Sequence, residues 1–139
     1  MATKILIVDD SLTARHVLKN FLASPEVQLF EGRNGKEALQ TLAQHPDMSL
    51  IFTDMNMPWM TGLELIEELK AHPSWQKIPV CITSTDSSPA LLKAAKQLGV
   101  NAYLVKPIKA EQIQTMVQNF LNRPVNLVLA KTIRPPAHR

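Results

Sequence analysis

The sequence predicts an α/β protein, a doubly wound five-stranded parallel sheet flanked by five helices. Three observations predict it. Five short runs rich in Val, Ile, Leu and Phe alternate with five segments whose apolar residues recur at helical spacing. The connections between them are short, as crossovers that pack back onto one sheet require. The chain has 139 residues, 45% apolar and 19% charged, which is enough for one sizeable core and too apolar for disorder throughout. No uninterrupted apolar run exceeds four residues, so membrane insertion is not expected; a spanning helix needs about 20.

Lys4 to Val8 is β-branched and Leu-rich and stops at Asp9-Asp10-Ser11, so it reads as a buried strand. Ser11 then caps a helix with Val17, Leu18, Phe21 and Leu22 on one face, ending near Ser24-Pro25. Val27 to Phe30 is the second strand. Asn34 with Glu37 opens a helix bearing Ala38, Leu39, Leu42 and Ala43. Ser49 to Thr53 is the third strand, and a loop with Pro58 and Gly62 leads to a helix with Leu65, Ile66 and Leu69. Pro79 to Thr83 is the fourth strand. Ser88-Pro89 starts, and Gly99 stops, a helix with Leu91, Leu92, Ala95 and Leu98. Ala102 to Val105 is the fifth strand, and Ile113, Met116, Val117, Phe120 and Leu121 stripe the last helix.

In such sheets the ligand site lies beyond the carboxyl ends of the strands. There the chain places Asp9 and Asp10, then Asp54, then Thr83, Ser84 and Thr85, and finally Lys106 followed by Pro107. Carboxylates about 4 Å apart repel by about 4 kcal/mol per pair at an effective dielectric of 20. An acidic rim therefore needs a cation, a raised pKa or the Lys106 ammonium. Carboxylate oxygens without nearby His or Cys favour Mg²⁺, which binds phosphate oxygens as well. Each element alone has a plainer reading, as a capping turn, a loop acid or a strand-end charge. Their conjunction is what points to chemistry.

The net charge of +3 does not describe this body. Residues 1–121 hold 11 Lys and Arg against 12 Asp and Glu, whereas 122–139 hold Arg123, Lys131, Arg134 and Arg139 and no acid. The chain thus divides into a domain over 1–121 and a basic tail or linker over 122–139 containing Pro124, Pro135 and Pro136. Composition favours a solvated linker over an arm for an acidic partner. Val125, Leu127 and Leu129 alternate weakly, as a short edge strand would. Eighteen residues cannot build a helix-turn-helix, so direct DNA binding is not expected. The lone Cys81 has no internal disulfide partner, and the start of the chain is too short and acidic for a secretory signal, so the expected location is cytoplasmic.

Four segments together resemble the receiver domain of two-component response regulators, over about residues 4–121. They are Ile-Leu-Ile-Val-Asp-Asp-Ser at 5–11, Phe-Thr-Asp-Met-Asn-Met-Pro at 52–58 with Gly62, Pro-Val-Cys-Ile-Thr-Ser at 79–84, and Ala-Tyr-Leu-Val-Lys-Pro at 102–107. Asp54 follows Asp10 by 44 residues, Ser84 follows by 30 more and Lys106 by 22 more. The resemblance implies a flavodoxin-like sheet of order 2-1-3-4-5 of the chemotaxis-receiver type. It implies that Asp54 is the phosphoacceptor, taking a phosphoryl group from a sensor histidine kinase or phosphotransfer protein. Asp9, Asp10, Asp54 and the backbone carbonyl of Asn56 would ligate Mg²⁺, and Lys106 and Ser84 would bind phosphoryl oxygens. Ser84 is favoured over its neighbours Thr83 and Thr85 by spacing. Tyr103 would change rotamer with Ser84 and remodel the surface of the fourth helix, fifth strand and fifth helix, where an unknown protein target would bind. The resemblance also implies that Asn56 and Asp86 would tune the phosphate lifetime, and Lys106-Pro107 resembles the family's cis peptide. A receiver of this kind is a phosphoacceptor with self-catalysed phosphorylation and dephosphorylation, not a turnover enzyme.

Other signals carry less. His45 and His72 stand at expected helix ends, His16 on an exposed face and His138 in the tail, so none is expected to donate a phosphoryl group. Met55, Met57 and Met60 with Trp59 form an apolar loop expected to pack against the third helix. Two alternatives remain open on the residues. The chain is the receiver part of a longer DNA-binding or enzymatic regulator, or it is a metal-dependent phosphohydrolase. Asn56 in place of an acid two residues after Asp54 argues against the second.

Overall fold

The computed structural model describes residues 3–122. Strands and helices alternate as β1 (Thr3–Val8), α1 (Leu12–Leu22), β2 (Val27–Gly32), α2 (Gly35–Gln44), β3 (Leu50–Asp54), α3 (Gly62–Ala71), β4 (Val80–Ser84), α4 (Pro89–Gln97), β5 (Ala102–Val105) and α5 (Ala110–Asn122). The five strands form one parallel sheet in the order β2-β1-β3-β4-β5. The sequence-based strand ends shift by at most two residues. The basic segment from Arg123 onward, with its alternation at Val125, Leu127 and Leu129, lies outside the described residues. Among the described residues, no helix is long and apolar enough to cross a membrane.

Successive residues of a strand face opposite sides of a sheet, so a strand covered on both faces is apolar throughout. β3 and β4 are buried at every position. Leu6, Val8, Ile51, Val80, Ile82 and Tyr103 face the core shared with α2, α3 and α4. Ile5, Ile7, Leu50, Phe52, Cys81, Ala102 and Leu104 face the core shared with α1 and α5.

Helix starts are set by side-chain caps. Ser11, Asn34 and Thr61 accept from the backbone N–H of Ala14, Glu37 and Glu64, and the Glu64 carboxylate accepts from the Thr61 N–H at 2.9 Å. α4 differs from expectation. Ser88 holds the cap position before Pro89, but its side chain makes no cap bond; the carboxylate of Asp86 accepts the Ser88 N–H instead, at 2.8 Å. α1 also differs. Its inward residues are Arg15, Leu18 and Leu22, while Val17 is 40% exposed. Leu18, Phe21 and Leu22 pack against the core as expected, and Arg15, paired with Glu31 and the Asp9 carbonyl, takes an inward position where Val17 was expected.

The loop after β3 closes tightly. The Gly62 N–H donates to the Met55 carbonyl at 2.7 Å, and a Cβ on Gly62 would stand 2.4 Å from the Asp54 carbonyl oxygen and 3.1 Å from Met55 Cα. Only glycine admits this approach of α3 to the end of β3. Gly62→Ala is expected to push the helix away from Asp54 and lower the unfolding free energy by about 1–3 kcal/mol, measured by urea denaturation.

Candidate functional site

Asp9 follows β1, Asp54 ends β3, Ser84 ends β4 and Lys106 follows β5, so a parallel sheet brings all four to one rim. Asp9 is 1% exposed and Asp54 8%, whereas Asp10 is exposed. One carboxylate oxygen from each of the three lies within 4.8 Å of the others.

The Lys106 ammonium bridges the two buried acids, 3.1 Å from Asp9 Oδ2 and 3.0 Å from Asp54 Oδ1. The second oxygen of Asp9 accepts the Ser11 N–H at 2.9 Å. Burial is the main influence on Asp54 and pushes its pKa above the ordinary aspartate value. The Lys106 hydrogen bond opposes that, and the Asp9 charge adds to it. For Lys106, burial works against the charge, but its hydrogen bonds to Asp54 and Asp9 and the charges of those two acids outweigh it, and the net shift is upward. The site is therefore a cluster of three carboxylates around one ammonium, open at Asp10.

The structure separates the three hydroxyls at the end of β4. Thr83 pairs in register with Asp54 and lines a cavity of about 180 Å³ with Val17, Leu18, Lys106 and Ile108, on the α1 side of the sheet. Thr85 is exposed. Ser84 is 1% exposed and its Oγ accepts the Asp86 N–H at 3.0 Å. The same Asp86 residue receives, on its carbonyl, the hydroxyl of Tyr103. Tyr103 is 1% exposed, so the strand aromatic is wholly buried. Burial is the main cause that raises its pKa, and a hydrogen bond with Ser84 opposes the rise. Asn56 and the Asp86 side chain are exposed beside the rim. The Lys106–Pro107 peptide is cis.

The family model for the response regulator receiver domain matches residues 5–118. The chain belongs to the response regulator receiver family. This receiver is 34% identical over 119 residues to a chemotaxis protein CheY homolog of Campylobacter jejuni, covering 85% of this chain and 92% of that protein. It superposes on chemotaxis protein CheY4 of Vibrio cholerae with a TM-score of 0.79 at 28% identity, covering 86% of this chain and 99% of that one. It superposes on the Mn²⁺-bound form of response regulator Rcp1 with a TM-score of 0.74 at 26% identity, covering 86% and 95%. The fold and the receiver family expected from the sequence therefore hold.

The receiver's donor set fits a hard divalent cation. Asp9, Asp10 and Asp54 offer only oxygen, and neither the His nor the Cys that would favour Zn²⁺ is part of the cluster. One residue at the rim was not anticipated, and one loop residue lies otherwise than expected. Arg15 reaches it from inside α1, donating to the Asp9 carbonyl at 2.7 Å. Trp59 lies on the β3–α3 loop with φ 68° and is 88% exposed. Met55 and Met57 do pack into the core beside Leu65 and Ile66, as expected of the loop, but Trp59 does not. The left-handed backbone at Trp59 turns its side chain outward, and nothing in residue periodicity signals that.

Lys106→Met removes the ammonium shared by two buried carboxylates. It is expected to lower stability by about 1–3 kcal/mol at neutral pH without divalent cations. Added Mg²⁺ is expected to restore more stability to this variant than to the parent, because the rim is then more negative. Urea midpoints with and without MgCl₂ check both effects.

Proposed function

We propose that this receiver accepts a phosphoryl group on Asp54 from a sensor histidine kinase or phosphotransfer protein, in a Mg²⁺-dependent reaction, and that the aspartyl phosphate switches a protein-binding surface. The observation that carries this reading is the arrangement at Asp54, a carboxylate near the rim with an ammonium 3.0 Å away and two further acids beside it.

Asp9, Asp10, Asp54 and the Asn56 backbone carbonyl would hold the cation, which when bound neutralises phosphoryl oxygens. An Asp54 carboxylate oxygen attacks phosphorus in line with the imidazole nitrogen of the donor, whose bond to phosphorus breaks. Lys106 keeps its proton throughout, consistent with its upward-shifted pKa, and turns its N–H toward a phosphoryl oxygen. The Ser84 hydroxyl, which now accepts from Asp86, donates to another phosphoryl oxygen. The protein supplies positioning and charge and no further covalent step, so it acts as a phosphoacceptor that promotes its own modification, not as a turnover enzyme. Asn56 and Asp86, exposed at the rim, are placed to control water access and the lifetime of the phosphate.

The readout follows the Ser84–Asp86–Tyr103 chain toward the surface of α4, β5 and α5, where a downstream protein target binds. A cytoplasmic location suits a kinase-fed receiver with a buried reduced Cys81.

Incubating the protein with Mg²⁺ and acetyl phosphate is expected to place one phosphoryl group on each chain, seen as a mass increase. Asp54→Asn is expected to take up none. Equal uptake by the variant rejects the assignment. Beryllofluoride, which mimics the phosphoryl group on a carboxylate, is expected to increase retention of the downstream target by the parent and leave it unchanged for Asp54→Asn.

A further inference from the structure

We propose that Arg15 is a positioning residue for the acidic rim, holding the Asp9 carbonyl and so aiming the Asp9-Asp10 turn whose two carboxylates would ligate the cation. The inference rests on the proposed receiver chemistry and adds to it a residue from outside the ligand set.

Arg15 is 7% exposed and occupies the inward face of α1, where packing alone calls for an apolar side chain. A buried guanidinium is costly unless its N–H groups are paired. Here Nη1 donates to the Asp9 carbonyl at 2.7 Å and Nε donates to Glu31 Oε1 at 2.8 Å. The Lys19 ammonium, one turn further along α1, holds the other Glu31 oxygen at 2.9 Å. Its hydrogen bond is the first cause that lowers the Glu31 pKa. Burial opposes it, and the Arg15 hydrogen bond reinforces it. The carboxylate on β2 thus anchors one side of the guanidinium fork, and the other side is left to grip the β1–α1 turn.

The grip acts at a specific place. The Asp9 N–H donates to the Gly32 carbonyl at 3.0 Å, and its two carboxylate oxygens are held by Ser11 and Lys106. Its carbonyl belongs to the peptide that leads into Asp10. The Asp10 side chain is exposed, so the backbone that carries it sets its direction. With Arg15 in place that peptide plane is fixed and Asp10 is delivered to within 4.8 Å of Asp9 and Asp54. Without it, the peptide is free to rotate, and Asp10 leaves the set first. Groups that orient metal ligands typically change metal affinity by roughly 10–100-fold when removed.

The test is a Mg²⁺ titration of the full chain followed by backbone amide chemical shifts. Arg15→Gln is expected to weaken Mg²⁺ binding by roughly 10–100-fold and to broaden or displace the Asp10 and Ser11 amides before any Mg²⁺ is added. Arg15→Lys keeps a cation with a single donor nitrogen but not the two-sided fork, so it is expected to fall between the parent and Arg15→Gln. Leu22→Ala, which loosens the far end of α1 without touching the rim, is expected to bind Mg²⁺ like the parent. Parental affinity in Arg15→Gln, or an equal loss in Leu22→Ala, overturns the proposal. If Arg15→Gln does not fold, parental affinity in Arg15→Lys overturns it. A parent that binds no Mg²⁺ overturns the receiver chemistry itself, a result distinct from variants that bind as the parent does.

Discussion

Asp9 and Asp54 are carboxylates with almost no access to water, side by side at the end of a sheet. Burial, and after it the neighbouring Asp9 charge, pushes the Asp54 pKa up. The Lys106 ammonium, 3.0–3.1 Å from both carboxylates, opposes that rise and offsets their mutual repulsion. It comes from the far side of the cluster, from the end of the edge strand β5. The pair therefore forms only when β1, β3, β4 and β5 are aligned in the observed register. The interaction that holds the site together is also the one that demands the fold.

The same ion triad bears on the chemistry proposed for the site. A carboxylate fully matched by its own cation has little electrostatic reason to receive another group. Here one ammonium serves two buried acids, and a third acid stands at the mouth. The excess negative charge is a standing demand for positive charge, and the donor set is of the kind that Mg²⁺ meets. On the proposed chemistry an anionic phosphoryl group would be unfavourable beside these carboxylates without a divalent cation, and Lys106 could turn from carboxylate to phosphoryl oxygen without leaving the cluster.

How much of this was legible in the sequence depended on the kind of interaction. Asp9, Asp54, Ser84 and Lys106 were legible because a parallel sheet converts four distant strand ends into one rim, and strand ends are readable from apolar runs. The cores were legible for the same reason, since Ile5 to Val8 and Ile51 to Thr53 can only be strands covered on both faces. Arg15 was not. Periodicity assigns charged residues outward and put Val17 in the stripe, and the partner that brings Arg15 inward is a main-chain carbonyl with no side-chain signature. Trp59 was misplaced for a related reason: its direction follows from a positive φ in a loop closed by Gly62, and a loop sequence does not encode that angle in its hydrophobicity. The Ser88 side chain makes no cap bond, and the side-chain contact at the start of α4 is instead the Asp86 carboxylate accepting the N–H of Ser88 itself, which residue spacing does not signal.

Asp86 shows how a change at Asp54 can leave the rim. Its peptide groups are used on both sides: the N–H is accepted by Ser84 Oγ, and the carbonyl accepts the hydroxyl of buried Tyr103. The Asp86 carboxylate in turn holds the Ser88 N–H at the start of α4. On the proposed chemistry the Ser84 hydroxyl would donate to a phosphoryl oxygen while its lone pairs still accept the Asp86 N–H, so a Ser84 drawn toward Asp54 would pull the Asp86 segment with it. The Asp86 carbonyl would then move relative to the Tyr103 hydroxyl it accepts. A buried phenol left without a partner costs free energy, so Tyr103 would follow the carbonyl or take another partner. Displacement of one hydroxyl at the rim would thereby reach a strand aromatic and the N-terminus of a helix through three hydrogen bonds that meet at Asp86.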